Sequence, residues 1–166
     1  MKTPLNGASE LCRMDVATLA DAFRTGALSP VEVARATLER AEEIQPRFNA
    51  FTLIDHDRAL SAALASEARW RAGKPLSPID GVPTTLKDIV HVEGWSVRYG
   101  SRSTDAAPMK QDAPSVAYLR AAGAVFIAQT AMPEFGWKAV TDSPAFGITR
   151  NPWNPELTPG GSSGGA

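Results

Sequence analysis

The sequence predicts an α/β fold, and three observations predict it. Residues 16–28, 29–46 and 57–72 carry apolar side chains at helical spacing. Residues 48–55 and 124–128 are short apolar runs of strand length. The second of these runs follows a helical stretch and a glycine, and an order of strand, helix and strand suits layered packing with parallel pairing.

Taken in order, Val16 to Leu28 reads as a short helix that ends at Gly26. In SPVEVARATLERAEEIQP, Ser29 can cap, Pro30 suits the first turn, and Glu32 completes a capping box. Val31, Ala34, Leu38, Ala41 and Ile44 recur at helical spacing, and Pro46 is expected to stop the run. FNAFTLID, Phe48 to Asp55, reads as a strand. Asp57 to Ala72 is a third helix, with Leu60, Ala63, Leu64 and Ala68 on one face and Gly73 at its end. PLSPIDGVPTTLKDIV is a turn-rich approach to a short apolar run, and Trp95 to Gln111 is irregular. APSVAYLRAAGAVFIAQT gives a helix, a stop at Gly123 and a buried strand from Ala124 to Ala128. From Met132 to Ala166 there is no strong periodicity, and Pro133, Pro144, Pro152, Pro155 and Pro159 punctuate it. About 30 residues without regular structure inside a compact domain are uncommon unless they are functional.

The bulk composition excludes several classes. The chain has 166 residues, 43% hydrophobic and 21% charged, enough for one domain with a core. Lys and Arg number 17 against 18 Asp and Glu, so there is no electrostatic case for nucleic acid or an anionic membrane surface. The single cysteine, Cys12, permits no intramolecular disulfide, and with only His56 and His91 beside it a structural zinc site has too few ligands. No motif surrounds Cys12 to make it a nucleophile. The opening MKTPLNGASELCRMD lacks the apolar stretch of a secretory signal, and no segment reaches the roughly 20 apolar residues of a membrane span. A cytoplasmic protein is the expectation.

Two stretches carry chemistry. The first is TPGGSSGGA, Thr158 to Ala166. As a phosphate cradle it lacks the lysine of GxxxxGK, and GxGxxG is absent too. As a flexible linker it is oddly preceded by RNPWNPELTP, with a tryptophan and several prolines. A catalytic loop is the third reading. The second stretch is GVPTTLKDIV, which sets Lys87 among Val82, Leu86, Ile89 and Val90. A surface lysine at a strand end is the commoner fate of such a residue. A desolvated lysine, however, loses its preference for the charged form and can take a proton from a serine hydroxyl. Neither histidine sits in a nucleophile–base motif, and no GxSxG elbow occurs, so lysine is the natural base of any serine hydrolase built here.

DGVPTTLKDIV (80–90), AGAVFIAQTAMPEFGW (122–137), SPAFGITRNPWNP (143–155) and TPGGSSGGA together resemble the amidase signature hydrolases. The likeness also takes in the N-terminal helices. It implies an α/β/α sandwich with a central mixed sheet. Residues 1–74 would be a helical N-terminal region and residues 75–166 the start of the signature core of one amidase domain. It further implies a Ser–Ser–Lys triad in which Lys87 is the general base. Ser162 would be the bridging serine, following a cis peptide bond after Gly161. The family's nucleophile and oxyanion donors lie in a later G-[ST]-D-x-G-G-S type loop, so the resemblance places them beyond Ala166 and marks this chain as an N-terminal fragment. Gly136, in PEFGW, falls where the family lines the acyl pocket with backbone. Thr158, Gly160, Gly161 and Ser163 would support the loop, with Thr158 a candidate bond to the relay. Asp88 reads as structural, and Asn151 and Trp153 as rigid loop packing. No cofactor and no metal are implied. The implied partner is a small-molecule amide, with no nucleic acid and no membrane, and a homodimer stays open. The glutaminase component of the tRNA-dependent amidotransferase, which frees ammonia from glutamine, carries Met-Asp-Glu-Phe where this chain has Met132, Pro133, Glu134 and Phe135. A non-catalytic module with a Gly-Ser tail is the reading from another class.

Overall fold

The computed structural model of this α/β protein describes residues 10–166. Residues 1–9, on which most of the signal-peptide reading rests, lie outside the described residues. The helices are α1 (Val16–Thr25), α2 (Pro30–Phe48), α3 (His56–Arg71) and α4 (Pro114–Ala121). The strands are β1 (Phe51–Ile54), β2 (Pro83–Lys87), β3 (Val125–Thr130), β4 (Asp142–Ser143) and β5 (Gly147–Ile148), with a 3₁₀ turn at Glu134–Gly136.

Local chemistry sets most of these boundaries. The Asp15 side chain accepts from Thr18 N to start α1, and Gly26 ends it at φ 73°. At α2 the capping box forms as expected: Val31 N donates to Ser29 Oγ at 3.0 Å and Ser29 N to Glu32 Oε2 at 2.7 Å. Pro46 does not stop α2, which runs on to Phe48. The proline forfeits one N–H, but Asn49 N still donates to Gln45 O at 2.8 Å, and the helix ends where Asn49 turns left-handed at φ 51°. The buried face of α3 is Ala59, Ala63 and Ser66, while Leu64 is exposed. The small residues let α3 pack closely, so its stripe lies one position away from the leucines.

The sheet has the order β1-β3-β2 and is mixed. The expected parallel pairing does not hold for the runs at 48–55 and 124–128: β1 and β3 are antiparallel, with Phe51 opposite Thr130 and Ile54 opposite Ala128, and the parallel neighbour of β3 is β2. β2 and β3 run the same way, since Val125 N donates to Val82 O and Asp88 N to Thr130 O. All six residues of β3 are buried, as befits the central strand. β4 and β5 form a separate antiparallel ladder.

The chain forms two compact units. The first comprises residues up to Glu42, Asp55–Thr84 and Tyr118–Ile127. Its core joins Leu19, Phe23, Val33 and Val82, flanked by Met14, Leu28, Trp70 and Ile79. The Phe23 and Trp70 rings meet at 6.2 Å. Cys12 donates weakly to Ala36 O, and partial burial pushes its thiol pKa up, which lowers its thiolate fraction. The second unit comprises Glu43–Ile54, Thr85–Ala117 and Ala128–Ala166. Within it Gln45 brackets Phe51 with bonds of 2.9 and 2.8 Å to its backbone, and Asn49 Nδ2 donates to Phe146 O at 2.8 Å. These side-chain contacts pin irregular backbone that carries no periodic signal. No helix among the described residues is long and apolar enough to cross a membrane.

Candidate active site

Lys87 is the last residue of β2, and β2 pairs in parallel with β3. Carboxyl ends of parallel strands are where α/β folds place their sites. A tight turn follows at once, since Ile89 N and Val90 N both donate to Lys87 O. Asp88 is fully buried. Its carboxylate accepts from Arg98 N and Gly100 N, each at 2.8 Å, and so fixes the irregular 98–100 segment. Burial pushes the Asp88 carboxyl above its usual range, against the pull of those amides. The part it plays is structural.

The Gly-Ser segment reaches Lys87 from the far end of the sequence. Lys87 Nζ lies 2.7 Å from Ser162 Oγ and 3.0 Å from Ser163 Oγ. Partial burial holds the Lys87 ammonium below its ordinary pKa. The Gly161–Ser162 peptide bond is cis.

Close backbone approach explains the glycines. A Cβ on Gly161 would come within 2.8 Å of Lys138 O, and one on Gly165 would collide with Ala50 O and Ala131 N. Gly165 N donates to Ala131 O, tying the segment to the residue after β3. Gly160 adopts φ 97°. Gly165→Ala is therefore expected to unseat the segment and to destabilise the protein by about 1–3 kcal/mol, because the obstacles are backbone atoms that cannot turn aside. A urea unfolding midpoint equal to that of the wild type would contradict this packing.

Gly136 lies beside the pair. It adopts φ 71°, and a Cβ there would sit 3.0 Å from Met132 Cε and 3.8 Å from Ser162 Oγ. A side chain would fill the space in front of the hydroxyl. Thr158 Oγ1 bonds Gly160 and accepts from Thr141 N, with no bond to Lys87 or Ser162. Its contacts are those of a local turn. Asn151 fits the expected loop packing, with bonds to Trp153 N and Thr158 O. Trp153 does not: it is 95% exposed, because the Asn151 turn holds the backbone and leaves the side chain pointing outward.

Sequence reasoning missed Thr141. It is buried, its Oγ1 donates to Gly160 O at 2.7 Å, and Gly164 packs directly against it. A lone threonine amid aperiodic sequence gives no signal, and only the return of the loop assigns it a partner. Ser163 is named from the motif as loop support only, and the structure adds its bond to Lys87. Among the described residues no cluster of His, Cys, Asp and Glu could hold a metal ion.

Comparisons with known proteins agree on one family. The profile of the Amidase family matches residues 32–166. The chain is 42% identical over 147 residues to indoleacetamide hydrolase of Bradyrhizobium diazoefficiens, covering 89% of this chain and 28% of that one. It is 40% identical over 158 residues to the A component of glutamyl-tRNA(Gln) amidotransferase from Acidothermus cellulolyticus, covering 95% of this chain and 31% of that protein. Among solved structures, native peptide amidase from Stenotrophomonas maltophilia superposes with a TM-score of 0.86 at 29% identity, over 92% of this chain and 33% of its own. The chain thus spans about a third of the length of the relatives it matches. With the profile covering most of the sequence, the chain belongs to the amidase family.

Proposed function

We propose that residues 1–166 supply the general base and the bridging hydroxyl of a serine amidase, which hydrolyses the C–N bond of a small carboxamide or acylamide. The observation that carries this reading is the 2.7 Å contact between Lys87 Nζ and Ser162 Oγ. The nucleophilic serine and the oxyanion donors come, in this reading, from sequence after Ala166.

In the first half-reaction the neutral Lys87 amine takes the Ser162 proton, and Ser162 takes the proton of the nucleophilic serine. The nucleophile's oxygen bonds to the amide carbon, and the carbonyl π pair moves onto its oxygen. The Lys87 ammonium then returns its proton through Ser162 to the leaving nitrogen. The C–N bond breaks, ammonia or an amine departs, and an acyl ester remains. Water repeats the sequence on the ester, releasing the carboxylate and restoring every group. Protons and electrons balance with no cofactor.

The pH dependence follows from the lysine. Because burial lowers its pKa, Lys87 is neutral over more of the pH range than an ordinary lysine. The protonated form cannot accept a proton, so activity is lost as pH falls and gained as pH rises through the Lys87 pKa. In the full-length protein, kcat/KM for 4-nitroacetanilide and a panel of primary carboxamides is expected to rise along one acid limb with its midpoint below the usual lysine range. A profile that falls with rising pH would rule out Lys87 as the base.

A second reading has support in the 40% identity to an amidotransferase component. Against it, this chain has Pro133 in the Met-Pro-Glu-Phe run, where the resemblance leads one to expect the Met-Asp-Glu-Phe of the amidotransferase component. The two readings separate in one assay. Turnover of simple amides by the protein alone supports the amidase. Release of ammonia from glutamine only when partner proteins and charged tRNA are present supports the other.

A further inference from the structure

Resting on the amidase reading, we propose that Ser163 is a positioning residue that turns the Lys87 amine so that its lone pair faces Ser162. Lys87 Nζ has two hydroxyl neighbours, Ser162 Oγ at 2.7 Å and Ser163 Oγ at 3.0 Å. A charged ammonium has three N–H groups and no lone pair, so it donates to both serines at once. A neutral amine is different, with two N–H groups and one lone pair. To take the Ser162 proton it must aim the lone pair at Ser162 Oγ, and its N–H groups must point elsewhere. Ser163 Oγ is the acceptor that lies in that other direction.

The neighbouring Asp88 carboxylate bonds the Arg98 and Gly100 amides, whereas the bonds of Lys87 Nζ run to the Ser162 and Ser163 hydroxyls. Ser163 Oγ bonds Lys87, while Ser163 O accepts from Ala166 N at 3.2 Å and steadies the turn. Because Ser163 follows Ser162 directly, the same anchoring of the loop by Thr141 and Ala131 holds both hydroxyls. Without Ser163 the amine is free to rotate an N–H toward Ser162, where it donates at the point where it must accept. The lysine stem is flexible and does not fix that rotation itself. Ser163 also accepts more strongly from the ammonium than from the amine, so its loss makes Lys87 easier to deprotonate.

The test is Ser163→Ala in the full-length protein, with 4-nitroacetanilide or whichever panel carboxamide the wild type turns over best. This small change at an exposed position is expected to leave the unfolding midpoint unmoved. Expected results are a fall in kcat of about 10- to 100-fold, the scale of a lost charge-assisted hydrogen bond, with KM unchanged and the acid limb shifted to lower pH. A loss of loop packing alone would not move that limb. Lysine Cε chemical shifts, followed against pH by NMR, read the Lys87 midpoint without any turnover, and it is expected to move the same way. Wild-type kcat with an unmoved midpoint would overturn the proposal. So would a raised KM at unchanged kcat, which would make Ser163 a substrate contact. If the wild type hydrolyses no amide yet the Lys87 midpoint moves in Ser163→Ala, the amidase reading fails and the positioning contact stands. If amides are hydrolysed and the midpoint does not move, the positioning role fails alone.

Discussion

Lys87→Ala in the full-length protein is expected to lower amide hydrolysis by about 10²–10⁴-fold, the usual worth of a positioned general base. Substrate affinity should change little, because the amine is directed at hydroxyls: its two neighbours are Ser162 Oγ and Ser163 Oγ. Without a proton acceptor at the end of the relay, the nucleophile stays protonated through the attack. Lys87→Arg separates two explanations. If the residue served only as a positive charge, arginine would restore activity. A guanidinium is always charged and cannot accept a proton, so arginine is expected to be as inactive as alanine. Ser162→Ala should be severe as well, since it breaks the relay between base and nucleophile. Initial rates with 4-nitroacetanilide, together with unfolding midpoints, check these variants. Wild-type turnover in Lys87→Ala, or recovery in Lys87→Arg, would remove the base from this site.

Elements specified by their own residues were legible in the sequence, and elements specified by distant contacts were not. Ser29, Pro30 and Glu32 carry the start of α2 within one turn, and the bonds form as the spacing requires. The AVFIA run carries β3, although the strand extends through Gln129 and Thr130, both buried. Polar side chains at those two positions masked the end of the strand. Thr52 Oγ1 donates to Gln129 Oε1 at 2.7 Å, a partner that no local pattern announces. Pro46 illustrates the opposite error. As a local signal it ends a helix, but near a C-terminus the lost bond costs one donor only, and Asn49 supplies the real stop. The β4–β5 hairpin was invisible because two-residue strands have no period to detect. Its position is set by Asn49 Nδ2 and Thr149 Oγ1, whose partners lie about a hundred residues away in sequence. The candidate site shows the same division. Lys87 and Ser162 were named from their motifs, whereas Thr141, which seats the loop, has no motif.

The largest stability effect is expected at Asp80, in the first unit. Its side chain is wholly buried. Oδ1 accepts from Arg69 Nη2 at 2.6 Å, and Oδ2 from Arg69 Nε at 2.8 Å and Leu76 N at 2.9 Å. Its carbonyl accepts from Trp70 Nε1 at 2.8 Å, so one residue fastens both the end of α3 and the turn before β2. A Cβ on Gly123 would collide with Asp80 Oδ1, so the backbone at Gly123 packs directly on the carboxylate. Burial by itself pushes the carboxyl pKa up, but the bonds from Arg69 and Leu76 outweigh it and hold the group below the usual carboxylate range. The stability this contributes is present above the unfolded aspartate pKa and is lost as pH falls through the lower folded one. Asp80→Asn keeps the shape and removes the charge, leaving the Arg69 guanidinium facing an amide. Breaking one side of a buried pair costs about 3–5 kcal/mol. The lower end applies here, because the Arg69 side chain is 28% exposed and can turn part of its charge to water. Urea unfolding of the full-length protein at neutral pH should therefore show a midpoint well below wild type. The gap between the two proteins should close in acid, where wild-type Asp80 is also neutral. Equal midpoints at neutral pH, or a gap that persists unchanged in acid, would mean that the charge on Asp80 is not what holds this unit together.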